Sequence, residues 1–212
     1  MAKLKASGAQ VVVSFSVPAF TALLKLNMLG LGFNPTLVVS DVGSDAITLG
    51  GLLQSFAAQQ HQKVNGNQLT QGIITDGYLP ALGTVSTNTW LQLFSKIHTQ
   101  YIPKLPFDGN VEYGMAVGYS FVQAMEKAGK NPTRQDLLTA IQGGISQGAA
   151  VAPYAFSATN HNGATGAYMG TIENGVLVQQ GPVLITDTSP TGGITSDTTA
   201  QPPAPASGIP SP

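Results

Sequence analysis

The stretch Met1–Leu24, MAKLKASGAQVVVSFSVPAFTALL, decides how the fold is read. Its first eight residues, MAKLKASG, read as the last turn of a helix with Gly8 as the stop. Ala9–Phe15 (AQVVVSF) then reads as a buried strand. Its run of β-branched residues is what a parallel strand covered on both faces requires. Ser16-Val17-Pro18 opens a helix, with Ser16 as a candidate cap and proline tolerated in the first turn. The order helix end, strand, helix predicts an α/β fold entered part-way, with elements preceding Met1.

Working outward, Phe20, Leu23, Leu24, Met28 and Leu31 are spaced as a helical apolar face. Gly30-Leu31-Gly32 and Asn34-Pro35 end that helix. Thr36–Ser40 (TLVVS) is a second strand. Asp45 is placed to cap a helix from Ala46 to about Ala58, and Gln59–Gln68 reads as a polar connection. Gly72–Thr75 begins a third strand. The middle of the chain is helical. Trp90, Leu93, Phe94, Ile97 and Tyr101 form one face, and Val111, Met115, Val122 and Met125 another. Thr133–Asp136 has the form of a capping box. Strands return at Val151–Ser157, Ala167–Glu173, Val176–Gln180 and Val183–Thr186. Asn174-Gly175 is a type I′ hairpin signal, because both central residues need positive φ. From about Thr188 the Pro/Thr/Ser composition predicts a disordered tail.

Composition narrows the function. Of 212 residues, 42% are hydrophobic and only 9% charged, with a net charge of −1. Soluble domains carry roughly 25% charged residues. No basic footprint for nucleic acid exists, and no apolar run is long enough to span a bilayer. The chain has no cysteine, so thiol chemistry is absent. It has no GxSxG, HExxH, Walker A or GxGxxG pattern. His61, His98 and His161 lack metal-ligand spacing and read as surface or loop residues. No catalytic residue, metal site or cofactor is expected, and the chain reads as a non-enzyme.

Two strand ends carry the suggestive chemistry, since parallel α/β sheets bind ligands outside their carboxyl ends. The first is Ser14-Phe15-Ser16, followed by a helix N-terminus. The second is Ser40-Asp41-Val42-Gly43. A carboxylate at Asp41 suits an ammonium group, and the hydroxyls of Ser14 and Ser16 suit polar atoms. The plainer alternative is that Asp41 builds an Asx turn and Ser16 caps a helix.

These residues also carry a resemblance. The stretches LKASGAQVVVSFSVPAFTALL, NPTLVVSDVGSD, GIITDGYLP, DGNVEYGMAVGYSFVQAMEKAGKNPTRQDLLTAI and GAYMGTIENG occur in an order that resembles the C-terminal half of type I periplasmic binding proteins. The nearest group is the branched-chain amino-acid (Leu/Ile/Val-type) substrate-binding subunits of ABC importers. The resemblance implies an incomplete two-lobed α/β fold, with parallel sheets flanked by helices and an interlobe cleft that closes on the ligand. It divides the chain into a second-lobe part (1–79), a helical first-lobe part with hinge crossings (80–166), return strands (167–187) and the tail (188–212). It implies that Asp41 holds a ligand ammonium. The family's aromatic at the first strand end falls on Val17 here, with Phe15 the nearest aromatic. Tyr78 lies beside a hinge crossing and is a further ligand candidate, with a packing role as the plainer alternative. The implied function is solute binding, an amino acid or similar small polar molecule, with ABC permease subunits as partners and an extracytoplasmic location. A ligand-sensing module on the same fold and a truncated, non-binding fragment are the alternatives.

Overall fold

The structure, a computed structural model, describes residues 1–186 and 191–210. In chain order the elements are α1 (Ala2–Ala6), β1 (Val11–Ser14), α2 (Pro18–Gly30), β2 (Thr36–Val39), α3 (Ala46–Gln59), α4 (Gly66–Thr70) and β3 (Ile74–Gly77). There follow α5 (Thr89–Tyr101), α6 (Gly109–Ala128), α7 (Arg134–Gln142), β4 (Gly166–Glu173), β5 (Val176–Ile185) and β6 (Thr195–Asp197). The six strands form one sheet in the order β1-β2-β3-β4-β5-β6. The pairs β1/β2 and β2/β3 are parallel, and β5/β6 is antiparallel. The fold is α/β, as the alternating elements require.

The chain forms two compact units. The first comprises Met1–Gly77, Ala81–Gly83 and Met169–Gly181, and the second Tyr78–Pro80, Thr84–Tyr168 and Pro182–Pro212. The first is a sheet with helices on it. Strands β1 and β2 run in register from Val11 opposite Thr36 to Ser14 opposite Val39. Val12, Leu37 and Val39 point into a core with Ala22, Met28, Leu49, Leu53, Ile73 and Ile172.

Only one face of β1 is covered. Val11 and Val13 are 54% and 59% exposed, contrary to the expectation of a strand buried on both sides. The reason is topological. The order β1-β2-β3 makes both crossovers step the same way, and right-handed crossovers then place α2 and α3 on the same face. The two helices do pack against each other. Of the expected apolar face of α2, Met28 is buried and Leu24 packs against the core, while Phe20, Leu23 and Leu31 are exposed and Thr21 and Ala22 are buried in addition.

Local signals act as their chemistry predicts. Asp45 Oδ1 accepts the Thr48 N–H at 2.7 Å and starts α3. Gly8 has φ +74 after α1, and Asn174 and Gly175 turn the β4–β5 hairpin with φ 52 and 80. At the end of the segment read as a polar connection α4 begins, running on to Thr70 and capped by Asn65 on the Gln68 N–H at 3.2 Å. Val183–Ile185 is not a separate strand but the end of β5, and Val151–Ser157 forms no strand beyond one bridge, Tyr154 to Ala164.

The second unit is built on helices. Trp90, Phe94, Ala116 and Ala149 form its core, with Leu79, Phe107, Met115 and Tyr119 packed around them. The Trp90 ring stands edge-on to Tyr119, centroids 4.8 Å apart. The buried face of α6 is Glu112, Ala116, Gln123 and Ala124, whereas Val122 is 44% exposed. Gln123 earns its burial by exchanging two hydrogen bonds with Ser146. Its Nε2 donates to the hydroxyl at 2.7 Å, and its Oε1 accepts the backbone N–H at 2.9 Å. His98 is buried rather than on a surface loop. Its Nε2 donates to the Leu105 carbonyl at 2.8 Å, and its ring lies against Phe107. Thr133 and Asp136 form the expected capping box at the start of α7.

The Pro/Thr/Ser tail differs from its compositional expectation over the residues described. Thr195–Asp197 pair with β5, and Gln201–Ala204 are bonded to α5 and to the Ala149–Ala150 carbonyls. Backbone pairing and carbonyl acceptors hold this segment, which is why its lack of apolar side chains was a poor guide. Residues 188–190 and 211–212 of the expected tail, and residue 187 of the expected return strands, lie outside the described residues.

Candidate functional site

The polar groups of the first unit gather at the carboxyl ends of β1, β2 and β3. At the end of β1, Ser14 Oγ lies 2.8 Å from Ser16 Oγ, which lies 2.9 Å from Thr21 Oγ1. Thr21 donates onward to the Val17 carbonyl at 3.4 Å. In the two hydroxyl–hydroxyl contacts either oxygen can be the donor, and the Ser14 hydroxyl, with lone pairs able to accept, stands at the open end of the relay. Ser16 is therefore not a helix cap. The N-cap of α2 is Val17, which makes no side-chain capping bond. Thr21 explains why a hydroxyl sits fully buried on a helix face: it anchors this relay.

Phe15 stands between the two serines and is 87% exposed.

At the end of β2 the chain turns through Asp41-Val42-Gly43 in a single 3-10 turn. The Asp41 N–H donates to Asp76 Oδ1 at 2.9 Å. Ser44 donates to the Asp41 carbonyl at 3.1 Å, and its oxygen is 2.6 Å from the buried Thr75 hydroxyl. The β2 and β3 ends are thus tied through backbone and hydroxyl groups, and two carboxylate residues share one strand-end surface. Gly43 makes this possible. A Cβ there would lie 2.2 Å from the Ser16 carbonyl oxygen and 2.9 Å from Thr21 Oγ1. The closeness of the two strand-end loops therefore depends on a residue with no side chain.

Ser14, Ser16, Phe15 and Asp41 consequently belong to neighbouring strand ends of one unit. Tyr78 belongs to the second unit, half-buried and edge-on to Tyr113 at 6.2 Å, with its carbonyl accepting the Val151 N–H at 3.0 Å. Asp76, Thr21 and Thr75 were not read as site residues, and Gly43 was read only as part of the second strand end, without its packing role. Asp76 had a usable signal: GIITD places a carboxylate after a strand core just as TLVVSD does. Among the described residues no group of His, Cys, Asp and Glu could hold a metal ion. No helix among them is long and apolar enough to cross a membrane.

The sequence matches no family model and no curated protein. Solved structures do match. A possible leucine/isoleucine/valine-binding protein from Rhodopirellula baltica superimposes with a TM-score of 0.65 at 17% identity, over 81% of this chain and 42% of that one. A branched-chain amino acid ABC transporter structure from Thermus thermophilus with bound valine gives 0.64 at 16% identity, over 87% and 48%. A fatty acid ABC transporter substrate-binding protein from Thermomonospora curvata gives 0.61 at 19% identity, over 84% and 44%. The chain spans less than half the length of each of these three structures, and at these identities the likeness is one of fold: it is the α/β fold of the type I periplasmic substrate-binding proteins.

Proposed function

We propose that this chain supplies a solute-binding surface of an ABC importer's substrate-binding component, with an amino acid as the solute. The observation that carries this reading is the strand-end cluster itself. Ser14 presents an acceptor oxygen, and Asp41 and Asp76 bring carboxylates to adjoining strand ends. Acceptors and negative charge together suit an ammonium group. Phe15 and Val42, both strongly exposed beside these polar groups, suit an aliphatic side chain. An amino acid with an apolar side chain combines the two. The fold supports the reading, since proteins sharing it are described as binding leucine, isoleucine or valine, one with bound valine.

On this reading Asp41 pairs with the ligand ammonium, Ser14 accepts a hydrogen bond from it, Ser16 orients Ser14, and Phe15 covers the side chain. The chain acts as a non-enzymatic binder, with permease subunits as partners and an extracytoplasmic site of action. The test is calorimetric titration with a panel of amino acids and fatty acids, repeated on Asp41→Asn. An aliphatic amino acid is expected to bind, and removal of its charge partner to cost about 2–5 kcal/mol. Equal affinity in Asp41→Asn, or binding of fatty acids alone, would overturn the assignment.

A further inference from the structure

The second unit carries an interaction of a different kind. Residues Gln201–Pro205 (QPPAP) have the spacing Pro202-x-x-Pro205, and they lie along the N-terminal turn of α5. Trp90 Nε1 donates to the Pro202 carbonyl at 2.7 Å. Thr89 Oγ1 accepts the Ala204 N–H at 2.8 Å. Asn88 Nδ2 donates to Gln201 Oε1 at 2.9 Å, while Gln201 Nε2 donates to the Ala149 carbonyl at 2.7 Å. Ala204 packs on the core cluster of Trp90 and Phe94. A cavity of about 420 Å³ lies beside the segment, walled by Trp90, Tyr119, Pro202, Pro203 and Pro205.

We propose that the surface around Trp90 and Tyr119 is a docking site for a proline-rich segment, and that its occupant is this chain's own Gln201–Pro205, held as a detachable strap. The chemistry on both sides is that of proline recognition. A proline has no N–H, so its carbonyl is the backbone handle, and an indole N–H is a donor suited to it. Proline-rich chain is already extended and restricted, so docking it on aromatic rings costs little conformational entropy.

The segment contains no regular element after β6 and leaves Pro202 and Pro203 exposed, so it is held by the bonds just named, a second Gln201 Nε2 bond to the Ala150 carbonyl at 3.1 Å, and Ala204. A segment held by so few groups opens independently of the core beneath it. What it covers is substantial: Trp90, at the centre of the second unit, is 3% exposed with the strap in place.

Trp90 is the chain's one tryptophan and reports its own cover. The experiment uses the full chain and a variant with Pro202, Pro203 and Pro205 all changed to Gly. Acrylamide quenching of Trp90 fluorescence is expected to rise at least about threefold in the variant, with far-UV circular dichroism unchanged. A synthetic peptide of residues 199–210, added at up to about 1 mM, is expected to restore the shielding saturably. Quenching identical to wild type, or no response to the peptide, would overturn the proposal. Should the variant fail to fold, the unaltered chain decides. By NMR, exchange of the Trp90 indole proton and the Ala204 amide is expected to be slowed about a hundredfold relative to unstructured chain. Unprotected exchange at both would overturn the proposal.

Discussion

The two units bury different kinds of surface, and the difference explains which parts of the molecule are readable from sequence. The first unit encloses aliphatic side chains between a sheet and helices: Leu37, Val39, Leu49, Leu53, Ile73 and Ile172. Its polar groups collect at the strand ends, where backbone runs out of ladder partners. The second unit packs aromatic rings among buried polar side chains. His98, Asp108, Glu112 and Gln123 are all less than 9% exposed. An aliphatic core follows from hydrophobic periodicity. A core containing Gln123 and His98 does not, because each polar side chain is buried against a specific partner, Ser146 for Gln123 and the Leu105 carbonyl for His98, that hydrophobic periodicity does not register.

The sharpest way to break this contrast is to empty each core in turn. Phe94→Ala in the second unit is expected to cost about 3–5 kcal/mol and Leu53→Ala in the first about 2–5 kcal/mol. Chemical denaturation read by Trp90 fluorescence and by circular dichroism checks both. If the units unfold separately, Leu53→Ala will shift the circular dichroism transition without an equal shift in fluorescence.

A smaller effect tests the polar core. Gln123→Ala strands the Ser146 N–H and hydroxyl, and is expected to destabilise by about 1–3 kcal/mol. Gln123→Glu preserves one acceptor and should fall between the two. An unaltered midpoint in Gln123→Ala would mean that the second unit tolerates a plain cavity there.

Gly43→Ala probes the polar edge of the first unit. The added Cβ meets the Ser16 carbonyl, so the two strand-end loops must separate, at about 1–3 kcal/mol. The same variant should weaken any ligand held jointly by Ser14 and Asp41. A loss of stability with ligand affinity intact would separate the structural role of Gly43 from the site.

The smallest effect is a pH dependence. The Thr133 hydroxyl and backbone N–H hold the exposed Asp136 carboxyl below its usual range. A group whose folded-state value is lowered contributes stability above its unfolded value and loses it as pH falls through the lowered one. Stability should therefore decline on acidification through the ordinary carboxylate range, and less so in Thr133→Ala. An identical acid profile in Thr133→Ala would show that the box adds nothing measurable.

Some devices were legible because each is complete within a few residues. Asp45 bonds three positions ahead, Thr133 and Asp136 bond each other, and Asn174-Gly175 closes its own hairpin. Asp41 was legible as a strand-end carboxylate, but its neighbour Asp76 is 35 residues away and met it only through the β2/β3 pairing. Ser16 looked like a cap because a helix follows it. Its actual partners, Ser14 and Thr21, are set by how α2 lies on the sheet.

The sequence by itself determined the Asp45 cap, the Thr133–Asp136 box, the Asn174-Gly175 hairpin, the cores of β1, β2 and β3 and the α/β alternation. It did so because those signals rest on backbone geometry and on bonds between near neighbours. Tertiary structure alone decided that α2 and α3 share one face and leave Val11 and Val13 exposed. It alone joined two carboxylates at one edge and laid a proline-rich segment against Trp90. Those outcomes depend on crossover handedness and on carbonyls and donors brought together over tens of residues, which no local pattern encodes.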